Sequence, residues 1–125
     1  MKLTHSLAAV ALAICLQGGS VDIPPITSAS YIVYAAGVPG PEMNLSSAQI
    51  QALSEWLDGH RADWTDIMVT TPSPRTLIAL QHADRQASTL DLWPHRLLAY
   101  GRFGQYEHPL SDEEAAYLRR LLQRG

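Results

Sequence analysis

Three neighbouring segments constrain this chain more than any other feature. Residues 76–82 (TLIALQH), 88–93 (STLDLW) and 96–100 (RLLAY) favour strands, and only the turn-forming 83–86 (ADRQ) and the Trp93-Pro94 break separate them. Connections this short join antiparallel neighbours, because a parallel pair needs a crossover of roughly a dozen residues. In the middle segment Leu90 and Leu92 fall on one side, with Thr89, Asp91 and Trp93 on the other, since successive strand residues point to opposite faces. The pattern predicts an antiparallel sheet with one face buried.

The flanking sequence supplies what covers that face. Residues 31–35 (YIVYA) predict a first strand, ended by the turn material Gly37-Val38-Pro39-Gly40-Pro41. Ser46 and Gln49 have capping-box spacing. After them Ile50, Leu53, Leu57 and Trp64 recur at helical intervals, opposite Glu55, Asp58 and Arg61, which predicts an amphipathic helix over about 47–62. Residues 67–69 suggest a short strand, and the glycine-containing stretch 101–109 reads as a loop. Ser111 and Glu114 repeat the capping box ahead of Leu118, Leu121 and Leu122, with Arg119, Arg120 and Arg124 near the helix C-terminus, where cations oppose the dipole. The order β-α-β-β-β-α predicts a small single-domain α+β fold, an antiparallel sheet with two amphipathic helices packed on one face.

The N-terminus carries a different signal. Lys2 and His5 lead into an apolar run over 7–16, closed by Gln17-Gly18-Gly19-Ser20, the order of a secretory signal peptide over residues 1–20. The run is too short for a spanning helix, which needs roughly 20 apolar residues. Leu12-Ala13-Ile14-Cys15 resembles the lipobox of bacterial lipoproteins, with Ile14 where a small residue is the rule, and that resemblance makes Cys15 a candidate for lipidation. Cleavage after Ser20 is the other outcome. Residues 21–30, with Pro24-Pro25, read as an extended leader to a domain over 31–125. The expected location is the periplasm or the exterior, with membrane attachment only through Cys15.

Removing residues 1–20 from the 125-residue chain takes away its single Cys and its single Lys. Eight Arg then face twelve Asp and Glu, and the net charge moves from −3 to −4. That balance argues against nucleic acid as a partner, and the domain has no disulfide to staple it.

No catalytic motif stands out: there is no Gly-x-Ser-x-Gly elbow, phosphate-binding loop or HExxH pair. Asp112-Glu113-Glu114 sits in a first helical turn, where carboxylates complement the dipole. His82 and Asp84 share one side of a strand end, and His95 or Asp91 could complete a metal set. Alternatively, Asp84 caps the hairpin turn and His82 is a strand residue. Tyr100, Arg102, Phe103 and Tyr106 combine the side chains that dominate interface energetics, and Trp93, His95 and Arg96 could extend the patch. Against that, large rings bury when they can, which favours Phe103 and Tyr106 tucked beneath the last helix. The expectation is an exported, non-enzymatic protein-binding factor of the cell envelope, accessory or inhibitor-like, needing no cofactor. The alternative is a metal-binding protein or metal-dependent hydrolase using His82, Asp84 and His95.

Overall fold

A computed structural model of the chain describes residues 20–67 and 74–123. Cys15, the rest of 1–19, and Met68 and Val69 of the expected strand at 67–69 lie outside the described residues. The strands are β1 (Ile26–Ala35), β2 (Val38–Pro39), β3 (Met43–Asn44), β4 (Thr65–Asp66), β5 (Thr76–His82), β6 (Ala87–Leu92), β7 (Arg96–Gly101) and β8 (Gly104–Pro109). Two helices accompany them, α1 (Ser47–Gly59) and α2 (Asp112–Gln123). The strands form one antiparallel sheet in the order β2-β1-β5-β6-β7-β8-β4, with β3 also pairing β1. The domain is α+β, as the hairpin pattern predicts.

Register explains the buried face. Ile78 pairs with Leu90, Leu90 with Ala99 and Leu92 with Leu97, so the apolar members of three strands stand on one side. Leu53, Trp56 and Leu57 of α1 and Ala115, Leu118, Leu121 and Leu122 of α2 close over them in a single core. Each buried leucine contributes about 2 kcal/mol by leaving water. Gln49 ties the helices together. Its Oε1 accepts from the Ser46 backbone amide at 2.7 Å within the capping box, while Nε2 donates to the carbonyls of Leu121 and Leu122, both at 3.0 Å. One buried amide thus starts α1 and satisfies the end of α2.

Three boundaries differ from the sequence expectation. The first strand starts at Ile26 rather than Tyr31, and the segment before it is packed rather than a free leader: Val21 is buried, and its amide donates to the Arg61 carbonyl at 3.0 Å. Pro24-Pro25 removes two donors but does not keep the apolar Val21, Ile26 and Ala29 off the core. Helix α1 ends at Gly59, and Trp64, buried at 1% exposure, is held beyond the helix by donating Nε1 to the His60 carbonyl at 2.7 Å. Finally, the expected loop over 101–109 is mostly strand. Gly101 pairs with Gly104, whose φ of +113° suits the tight turn into β8, and Tyr106 and His108 then alternate with Gln105 and Glu107.

Candidate functional site

The face of the sheet opposite the helices holds an unusual centre. Leu77 pairs with Asp91, Asp91 with Leu98, and Leu98 with Glu107, so these side chains form a row across four strands away from the core. Asp91 is only 2% exposed. A carboxylate buried this far is costly unless donors surround it, and here they do. Its Oδ1 accepts from the Arg75 backbone amide at 3.0 Å, and Oδ2 accepts from the Trp93 indole Nε1 at 2.9 Å. The buried acid therefore fixes both the start of β5 and the angle of the indole.

Two guanidiniums sit over that indole. The Cζ atoms of Arg75 and Arg96 lie 5.0 and 4.8 Å from the Trp93 ring centroid, within cation–π range. Arg96 also donates Nη1 to Glu107 Oε1 at 3.2 Å. Tyr100 stands on the same side, since it pairs with Thr89 two residues from Asp91. Its hydroxyl is enclosed and has no hydrogen-bond partner among the described residues. Burial pushes the phenol pKa up, the Asp91 charge pushes it further, and Arg96 opposes both, so Tyr100 is a neutral donor at ordinary pH.

The expected recognition patch is therefore divided between two faces. Trp93, Arg96 and Tyr100 converge on the open face, as above. Phe103 and Tyr106 do not join them: they stack at 6.3 Å, half-buried against the core on the helix side, because Tyr106 pairs with the core-facing Ala99. Arg102 is exposed in the turn between β7 and β8. Arg75 and Glu107 were missed by sequence reasoning, and Asp91 entered it only as a metal candidate. The shared side of Asp91 and Trp93 is visible in strand alternation, whereas Arg75 reaches Trp93 only through the β5–β6 register, one residue beyond the Thr76–Leu92 pair.

The metal set does not assemble. His82 and His95 sit beyond opposite ends of β6, a six-residue strand about 20 Å long at 3.3 Å per residue. His82 is buried at 4% exposure: Nδ1 donates to the Pro24 carbonyl at 2.9 Å, which leaves Nε2 to accept from Ser88 Oγ at 2.6 Å. The cleft beside this pair, about 30 Å³, has room for little more than a water. His82 thus fastens the segment before β1 to the β5–β6 hairpin. Asp84 is exposed and accepts from the Gln86 amide at 3.0 Å, while His95 is exposed and faces Asp112 at 3.4 Å. Among the described residues, no group of three or more His, Cys, Asp or Glu side chains is placed to hold a metal ion.

A second polar cluster lies where α1 ends and α2 begins. The His60 ring stacks on Trp56 at 3.9 Å, and His108 meets Trp56, His60 and Trp64 edge-on. His60 Nδ1 donates to the Trp56 carbonyl at 2.6 Å, and Nε2 faces Glu114 Oε2 at 3.0 Å. Glu114 closes the α2 capping box, and the Ser111 backbone amide, opposed by partial burial and helped by the Ser111 hydroxyl, His60 and His108, lowers its pKa. These contacts are used up in joining helix to helix.

Fold and site together define a small α+β domain with a cation–aromatic centre on the sheet face that neither described helix covers, its open face. No protein-family model, curated protein or solved structure matches the chain. Among the described residues, no helix is long and apolar enough to cross a membrane.

Proposed function

We propose that this chain is an exported, non-enzymatic binding domain of the cell envelope that engages a protein partner through its open sheet face. The observation that carries this reading is the Trp93 indole, held at Nε1 by the buried Asp91 and overlaid by Arg75 and Arg96. Trp, Tyr and Arg supply most interface hot spots, and a side chain fixed before binding loses little entropy when a partner arrives. A carboxylate buried at the centre of a sheet to aim an indole outward makes sense as preorganisation for contact. The N-terminal signal segment supplies the location, released after Ser20 or tethered through Cys15.

The test is partner capture from native envelope extract by the immobilised domain, compared with Trp93→Ala. Trp93 is half-buried and outside the core cluster, so the variant should keep the wild-type circular dichroism. Loss of a hot-spot aromatic costs about 2 kcal/mol or more, so captured partner should fall at least tenfold. Equal capture by the folded variant would reject the open face as the binding surface.

A further inference from the structure

The two guanidiniums over Trp93 are unequal in one respect. Arg96 has a carboxylate, Glu107 Oε1 at 3.2 Å, and Arg75 has none among the described residues. All twelve acidic side chains of the chain are among the described residues, and none forms an ion pair with Arg75. Arg75 is nonetheless not a loose surface cation. Its backbone amide is pinned to Asp91 Oδ1 at 3.0 Å, its guanidinium rests over the indole at 5.0 Å, and its side chain is exposed. Among the described residues the Arg75 guanidinium has no hydrogen-bond partner, and a guanidinium over a ring can still present its planar fork of donors to a carboxylate.

We infer that Arg75 and Trp93 form a subsite for an acidic side chain, Glu or Asp, of a partner polypeptide lying across the open face. This deepens the binding function proposed above and rests on it. Within the same few ångströms, Glu107 on Arg96 shows how the face holds a carboxylate beside Trp93; the partner supplies the equivalent acid to Arg75. The recognising groups are side chains on a sheet face. A C-terminal carboxylate is more often taken by a cradle of backbone amides, and an internal acidic residue lets the peptide pass on across the ring. Because the chain as a whole is acidic, with a net charge of −3, the attraction is local and short-ranged. Binding should therefore depend on the stack rather than on long-range steering.

The experiment is selection of a random twelve-residue peptide library, displayed by its C-terminus so that no free terminal carboxylate is presented, on the immobilised full domain. Peptides recovered on the wild type are measured against Arg75→Gln, Arg75→Lys and Trp93→Ala, each first shown to unfold at the wild-type temperature. Recovered peptides should share an Asp or Glu. Their affinity should fall about tenfold on Arg75→Gln and on Trp93→Ala, less on Arg75→Lys, and by a similar factor when the acid is replaced by its amide. Peptides that need Trp93 yet tolerate Arg75→Gln or lack an acid would overturn the carboxylate subsite and leave the open-face function standing. Peptides indifferent to Trp93→Ala, or no peptides at all, would overturn both.

Discussion

Asp91 shows how one residue can set the character of a surface. Its carboxylate is buried near the end of β6, and both oxygens are occupied, one by a backbone amide and one by an indole. Removing it leaves those two donors facing a void. Asp91→Ala should therefore cost about 1 to 3 kcal/mol in urea unfolding, the usual penalty for stranding buried polar partners, and should weaken the near-ultraviolet dichroism of Trp93. Asp91→Asn keeps one acceptor and should lose less. An alanine variant as stable as the wild type would mean that these bonds do not hold the site together. At this scale the sequence revealed that Asp91 and Trp93 share a side, but nothing local to either residue marks the acid as buried. Burial came from the Leu77 and Leu98 pairs on the neighbouring strands.

Among the elements, both helices were legible because their signals are local: a cap, an apolar stripe and a capping partner within four residues. The Ser111–Glu114 box also gives α2 a pH dependence. The Ser111 amide holds the Glu114 pKa below its ordinary 4.5 in the folded state, so folding favours the carboxylate form. Its contribution is complete above pH 4.5 and is lost as the pH falls from there through the lowered folded value. Wild type and Glu114→Gln should accordingly differ in urea midpoint at pH 7, with the gap closing in acid. A gap of constant size down to pH 3 would contradict this origin. Strand β8 was illegible for a different reason: two glycines looked like a loop, and only the pairing of Gly101 with Gly104 turns them into a hairpin. The stop of α1 at Gly59 was likewise not legible, because the Trp64 counted on its apolar stripe instead lies beyond the helix, bonded to the His60 carbonyl.

For the molecule as a whole, the point of interest is how the segment ahead of β1 is packed. Val21 is 5% exposed and bonded to Arg61, and Pro24 receives His82, so the fold recruits nearly everything after Ser20. Export as proposed leaves two outcomes, cleavage after Ser20 or lipidation at Cys15. If the chain is exported as proposed and cut after Ser20, intact mass spectrometry should find a protein that starts at Val21, with the buried Val21 as its first residue. A mass corresponding to a diacylated or triacylated chain from Cys15 would instead mean a protein tethered to a membrane.

The sequence alone determined the fold class, the antiparallel sense of the central strands, the side of β6 that is buried, and both helix starts. All of these follow from periodicity and capping, which act over a few residues. Tertiary structure decided which aromatic rings would meet. Phe103 and Tyr106 went to the core, Trp93 and Tyr100 to the open face, and Arg75 came to lie over the indole. It also turned His82 from a candidate ligand into a fastener for the segment before β1. Such outcomes depend on register between strands, and a shift of one residue there would move every side chain to the other face.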